Sequence, residues 1–195
     1  MSENITKDSE CAIQSVEKGG VNYVEDNNVY ILGEFDNSIS KNIMPNMLKI
    51  INSQKNLKNG KIDFYINSNG GCTHELYGLL SMIALAKSHG IKIRTFNLGR
   101  AYSSGSYLAV VGDERKMYKY ALNLLHLGTT WEANSTIKQL DRNHTRQKEH
   151  FNNLIRIYKE HTKLSEQQIK EMMADDCCFL NAKKCLKYGI VDEII

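Results

Sequence analysis

Proline is almost missing from this sequence: Pro45 is the single one in 195 residues. Internal repeats and low-complexity tracts are missing too, so the chain reads as one folded unit over residues 21–195. A flexible arm, residues 1–20, precedes it and ends in Gly19-Gly20. No apolar run reaches the roughly 18 residues that a membrane span needs. The opening MSENITKDSE is polar and lacks the apolar stretch of a secretory signal. The expectation is a cytoplasmic protein with no membrane partner. Charge of one sign is scarce as well: 25 Lys and Arg against 22 Asp and Glu leave +3, with the two signs interspersed. That balance argues against a nucleic-acid partner. The five cysteines (Cys11, Cys72, Cys177, Cys178, Cys185) are an odd set, and Cys177, Cys178 and Cys185 lack the CxxC spacing and nearby His of metal ligands. They form neither a disulfide framework nor a metal ligand set and read as reduced thiols.

With 42% hydrophobic residues the chain can bury a core of ordinary size. Asn28 to Leu32 is a short apolar run stopped by Gly33, the mark of a buried strand. From Ser38, apolar residues at 39, 43, 47, 50 and 51 fall at helical spacing, with Ser38 or Asp36 as the cap. The polar stretch Asn52 to Gly60 reads as a loop. Lys61 to Asn67 predicts a second strand, followed by the turn Ser68-Asn69-Gly70-Gly71 and an apolar helix over Leu76 to Ala86. Ile91 to Asn97 predicts a third strand, then a turn at Gly99 and a helix from about Ser103. This grammar of strand, glycine turn and helix belongs to βαβ units and a parallel sheet. Met117 to Leu125 reads as one or two short strands. Ser135 to His161 predicts a long helix projecting after the core, with an apolar stripe at Ile137, Leu140, Phe151, Leu154, Ile155 and Tyr158. A helix over Ser165 to Met173 and a closing helix and strand over Asn181 to Ile195 complete an α/β domain.

Chemistry concentrates at the two places where a strand hands over to a helix through glycine. Unpaired N–H groups and the positive end of the helix dipole sit there, so such corners bind phosphate or stabilise an oxyanion. Neither GxxxxGK[ST] nor GxGxxG is present, which removes the nucleotide reading. Tight βα connections remain the plain alternative. Ser103, with Gly105 two positions later, has the placement of a nucleophile at a strand-to-helix corner. Ser103, Ser104 and Ser106 also suit the lesser role of helix caps. A nucleophilic serine needs a base. His126 follows the apolar run Leu122 to Leu125 and is favoured over His74, which follows the first glycine turn.

These residues resemble the proteolytic subunit of the Clp ATP-dependent proteases. The family's I-N-S-P-G-G turn is matched by Ile66-Asn67-Ser68-Asn69-Gly70-Gly71. Its nucleophile motif G-x-A-x-S-M-G-A is matched by Gly99-Arg100-Ala101-Tyr102-Ser103-Ser104-Gly105-Ser106. The family's base follows an apolar strand, as in Leu124-Leu125-His126. Its closing pattern F-L-S-A…E-Y-G-L-V-D is matched by Phe179-Leu180-Asn181-Ala182 and Lys187 to Asp192. Asn28 to Asp36 resembles the family's first core strand and turn. Two departures bear on the site. Asn69 replaces proline, with some loss of rigidity, and Ser104 replaces methionine, so a different side chain is expected to face the substrate pocket.

The resemblance implies a fold of stacked ClpP/crotonase-like βαβ units and a serine endopeptidase with Ser103 as nucleophile and His126 as base. The N–H groups of Gly71 and Ser104 would form the oxyanion hole, with no metal or organic cofactor. Counted back from Phe179, the third triad member falls on Cys177; counted forward from Gln167-Gln168-Ile169 it falls on Asp176. A one-residue insertion reconciles the counts and makes Asp175-Asp176 the candidate pair, Asp176 preferred; a solvated helix end is the plain reading of both acids. The resemblance also implies a homo-oligomer of two stacked heptameric rings, a tetradecamer, with the long helix between rings. An AAA+ unfoldase would feed it unfolded protein, and the arm at 1–20 corresponds loosely to the family's axial loops. Two rivals stand beside this: a structural or regulatory Clp-like subunit without activity, and a crotonase-type acyl-CoA enzyme. The second needs carboxylates near the glycine turns, where Glu75 is the only nearby acid.

Overall fold

The computed structural model describes residues 21–126, 137–174 and 178–195. The expected arm at 1–20, the acids 175 and 176, and the start of the expected long helix at 135–136 lie outside them. The chain opens with a hairpin, β1 (Asn22–Glu25) against β2 (Asn28–Ile31), antiparallel across a two-residue turn. Asp26 takes φ 51° there, a value such turns require and Asp tolerates. Only the second of these strands carries an apolar run, so the sequence pattern shows β2 and hides β1.

After the bridge at Phe35 the chain turns helical at Asn37. Asp36, not Ser38, is the cap: its Oδ1 accepts the Ser38 N–H at 2.9 Å, and its carbonyl accepts the Ile39 N–H at 3.0 Å. A π-helical segment, Ile39–Ile43, runs into α1 (Met44–Gln54), whose start accommodates Pro45. The helix therefore takes in the first residues of the expected loop at 52–60. β3 (Lys61–Ser68) lies parallel to β2, α2 (Thr73–Ser88) follows, and β4 (Lys92–Tyr102) returns parallel to β3. α3 (Ser104–Val110) then leads to β5 (Glu114–Met117) and β6 (Leu122–Leu124), both parallel to β4 at different points along it.

Expectation and structure differ at Gly99. The strand does not end there but runs on through Gly99 to Tyr102. Between Ile66 and Ser68, β3 advances two residues while β4 advances four, from Asn97 to Ala101. This bulge absorbs the glycine: a Cβ at Gly99 would lie 3.0 Å from Asn67 Oδ1, and that oxygen accepts the Arg100 N–H at 3.1 Å. A bulge re-aims the side chains beyond it, which here belong to Tyr102 and Ser103.

The long helix, α4 (Ile137–His161), packs the part of its stripe at Leu154, Ile155 and Tyr158 into the core, with Phe151 half-buried beside it. The side chains of Ile137 and Leu140 lie outside the described residues. α5 (Glu166–Ala174) is capped reciprocally, Ser165 Oγ accepting the Gln168 N–H and Gln168 Oε1 accepting the Ser165 N–H. β7 (Phe179–Asn181), unforeseen in the sequence, pairs antiparallel with β6. α6 (Ala182–Tyr188), capped by Asn181 and ended by Gly189 at φ 69°, precedes β8 (Glu193–Ile194). Arg115 fastens this end of the chain. It pairs with Asp192 through two nitrogens and donates to the carbonyls of His161 and Gly189.

The sheet order is β1-β2-β3-β4-β5-β8, with β6 and β7 branching from the far end of β4. One face is the core, where Ile62, Phe64, Ile66 and Ile93 meet Leu76, Leu79, Ile83 and Leu108 of the helices. The other face carries a row of stacked rings across four strands, Tyr23, Tyr30, Tyr65 and Phe96, with centroids 4.5 to 5.1 Å apart. Cross-strand aromatic pairs of this kind reinforce register. Among the described residues no helix is long and apolar enough to cross a membrane.

Candidate active site

Everything in the site hangs on how β4 becomes α3. Ser103 joins them with φ 50° and ψ −121°, a conformation few side-chain-bearing residues adopt and one costing about 1–3 kcal/mol. A helix cap would have extended backbone and a side chain bonded to the first turn. Ser103 has neither, because its hydroxyl makes no capping bond. The cap reading of Ser103 therefore fails, and the residue is a sharp, strained elbow. Its backbone is fully engaged: the N–H donates to Leu124 O at 3.0 Å, and the carbonyl accepts from Ser106 and Tyr107 at 2.8 and 3.2 Å.

Two buried residues of the first glycine turn hold it against this elbow. Ser68 Oγ accepts the Gly70 N–H at 3.0 Å. Gly70, at φ 101°, sits so close that a Cβ there would lie 2.5 Å from Ser103 Cβ and 2.8 Å from Tyr102 O. Gly71, at φ 134°, abuts the backbone of Phe35, where a Cβ would come within 2.7 Å of the carbonyl oxygen. Phe35 brackets the turn on both sides, donating to Gly70 O and accepting from the Cys72 N–H, each at 2.7 Å. The N–H groups of Gly71 and Ser104 donate to no described residue.

The Ser104 side chain corrects the expectation drawn for it. It is fully buried, and its Oγ donates to Gly71 O at 2.9 Å. The hydroxyl ties the two turns together and does not face a substrate pocket. Where proline is replaced, Asn69 Oδ1 accepts from Arg100 Nη1 at 3.1 Å. An exposed arginine on the β4 bulge thus braces the turn that lacks its proline.

His126 is half-buried and follows Leu125 just past β6. Since Leu124 O is the acceptor for the Ser103 N–H, the strand carrying His126 is bonded directly to the serine elbow. No hydrogen bond joins the Ser103 hydroxyl to the His126 ring, which is common before a substrate tightens such a pair. His74 is exposed on the first turn of α2, with Nδ1 4.0 Å from Cys72 Sγ. It faces a cavity of about 400 Å³ towards α4, shared with His150. Glu75 is bonded to the Ser40 hydroxyl of the π-helical segment. Asp176 lies outside the described residues. Phe179, three positions on, packs its ring edge-on against Tyr102 at 5.5 Å, so the segment after the acids reaches the serine elbow. A cavity of about 520 Å³ lies between α2 and the last turns of α4.

Residues to which the sequence assigns no part in the chemistry complete the surroundings. Ser106, Asn123 and Tyr158, each at most 1% exposed, hydrogen-bond to one another beneath the elbow. Burial holds the Tyr158 hydroxyl protonated well above the ordinary tyrosine range. In the sequence Tyr158 is simply part of an apolar stripe. A hydroxyl on that stripe was the one available signal.

Fold and site together define a class: an α/β domain of stacked βαβ units in which a serine elbow faces a glycine turn. The model of the Clp protease family matches residues 18–195, and the chain belongs to that family. Among its relatives is the ATP-dependent Clp protease proteolytic subunit of Deinococcus radiodurans, 28% identical over 137 residues, covering 69% of this chain and 65% of that protein. Subunit 2 of the same name from Mycolicibacterium paratuberculosis is 32% identical over 139 residues, 69% of this chain and 66% of that protein. Subunit 4 from Rhodococcus jostii is 23% identical over 169 residues, 86% of this chain and 83% of that protein. The matched stretch thus spans about two thirds of the length of the first two relatives.

Proposed function

We propose that this chain is a serine endopeptidase of the Clp type. The observation that carries the reading is Ser103 itself: a strained elbow, its backbone fully bonded, its hydroxyl making no capping bond, pressed against a glycine turn. Ser103 Oγ attacks a peptide carbonyl while His126 takes its proton and later gives it to the leaving amine. The N–H groups of Gly71 and Ser104 receive the oxyanion, and each such donor is typically worth about 10²–10³ in rate. Asp176 holds the imidazole in the right tautomer. Water, activated by His126, then releases the acyl group and restores Ser103.

The relatives bear names that speak of an ATP-dependent protease's proteolytic subunit. By that analogy the chain acts as a homo-oligomer of stacked heptameric rings in the cytoplasm, with α4 between the rings. An AAA+ unfoldase supplies the ATP hydrolysis and delivers unfolded protein. Labelling with a fluorophosphonate, hydrolysis of a fluorogenic peptide and particle mass test the reading together. Label on Ser103 and peptide turnover abolished by Ser103→Ala are expected. Turnover that survives Ser103→Ala refutes the mechanism. A folded, assembled but unlabelled protein points to the structural or regulatory subunit instead.

A further inference from the structure

Three polar side chains meet in a core that is mostly apolar. Ser106 Oγ donates to Asn123 Oδ1 at 2.7 Å and accepts from the Tyr158 hydroxyl, whose oxygen lies 3.3 Å from the same Oδ1. Leu125 and Ile155 lie in the same buried cluster, and all three polar groups are shut off from water. A buried network whose hydroxyls and shared acceptor are all bonded fixes a single relative placement of its members, since any shift strands a polar group.

The placement it fixes is that of the candidate catalytic segments. Ser106 is three residues beyond Ser103, and its N–H donates to Ser103 O at 2.8 Å. Asn123 is three residues before His126, on the strand whose Leu124 O receives the Ser103 N–H. Asn123 also pairs with Leu180 of β7, the strand that follows Asp176. Tyr158 enters from the far end of α4 and bonds to both Ser106 and Asn123.

We propose that Tyr158, through Ser106 and Asn123, is a positioning residue that sets the approach of His126 to Ser103. The inference rests on the proposed roles of Ser103 as nucleophile and His126 as base. Removing the Tyr158 hydroxyl leaves the peptide-binding surface intact but lets β6 and α3 drift by a fraction of an ångström. Misplacement by about 1 Å costs roughly 100-fold in rate, so a smaller drift costs about tenfold.

The test uses the full-length protein and five variants: Tyr158→Phe, Ser106→Ala, their combination, Ser106→Thr and Tyr107→Phe. Tyr107 packs edge-on against Tyr158 at 5.3 Å, and its buried hydroxyl has no hydrogen-bond partner among the described residues, so it controls for loss of a buried hydroxyl as such. For each, kcat and KM on a fluorogenic peptide and the rate of fluorophosphonate labelling are measured, with particle mass and melting temperature alongside. Tyr158→Phe is expected to lower kcat and the labelling rate about tenfold with KM within about twofold. Ser106→Ala should do the same, and the double variant should lose no more than the larger single loss, because both break one network. Tyr107→Phe should keep the wild-type rate. Ser106→Thr, which retains a hydroxyl, should recover most of what Ser106→Ala loses.

Equal labelling rates in wild type and a folded Tyr158→Phe overturn the inference while leaving Ser103 as nucleophile. Should Tyr158→Phe fail to fold, Ser106→Ala decides by the same rate. Losses that simply multiply in the double variant, or a loss in Tyr107→Phe as large as in Tyr158→Phe, also overturn it. A wild-type protein that takes no label at Ser103 overturns both this inference and the reading beneath it.

Discussion

The contact between Gly70 and Ser103 makes Gly70→Ala the sharpest test of the site. An added methyl would lie 2.5 Å from Ser103 Cβ, about 0.9 Å inside an ordinary 3.4 Å contact, with Tyr102 O at 2.8 Å and Ser104 N at 3.1 Å. Nothing nearby can yield cheaply. The struck atoms are backbone or the Cβ of a residue already bonded at its N–H and carbonyl. Alanine at φ 101° is strained as well, by about 1–3 kcal/mol, so the turn cannot relax into comfort. Ser103 must then move by the better part of an ångström. A displacement of that size costs roughly 100-fold in rate, or about 2.7 kcal/mol of barrier. Peptide kcat/KM and the labelling rate of Ser103 should fall together by about that factor. Gly105→Ala is the control, since its added methyl meets Ser68 at an ordinary 3.5 Å. It should keep its activity and gain about 0.5–1 kcal/mol of helix stability. A Gly70→Ala protein within threefold of wild type would refute the idea that this turn positions the nucleophile.

Two further expectations concern stability and thiol chemistry. Arg115 holds the Asp192 carboxyl below its ordinary range, so Asp192 binds protons less readily folded than unfolded, and its contribution is present above the ordinary carboxylate pKa. That contribution is lost as pH falls through and below that value. The melting-temperature gap between wild type and Asp192→Asn should be full at neutral pH and close as the solution is acidified; a gap independent of pH would contradict the pairing. Burial raises the Cys185 thiol to about 12, whereas Cys72 is exposed beside Gly71. Iodoacetamide should modify Cys72 in the native protein and reach Cys185 only in denaturant, as peptide mapping by mass spectrometry would show.

The parts of this molecule legible in the sequence are those that a local pattern dictates. The apolar runs at β2, β3 and the first half of β4 announced themselves, as did the helical stripes of α1, α2 and α4. Elements defined by a partner did not. β1 carries no apolar run and exists because it pairs with β2, and β7 exists because it pairs with β6. Gly99 looked like the end of a strand because glycine usually breaks one. Its actual service is to let β4 pass close to Asn67 within a bulge, which only the register reveals.

The site divides along the same line. The candidates at 71, 103, 104 and 126 could be picked out by motif and position, because a strand-to-helix corner and a glycine turn are local devices. Their support could not, since it comes from residues distant in sequence. Arg100 braces an asparagine 31 positions earlier, and Tyr158 bonds a serine 52 positions earlier. The role of Ser104 shows the boundary best. Read as a motif letter it was a changed side chain at the pocket; in three dimensions its hydroxyl is spent on Gly71 O, 33 residues away. One hydrogen bond of this kind is worth about 1 kcal/mol, small beside the fold's total. Here it is placed between the two turns that must stay in register, so its consequence is geometric. The elbow, the glycine turn and the His126 strand are each short local devices. What draws them together as a candidate site is a small set of long-range polar contacts around the bulge of β4.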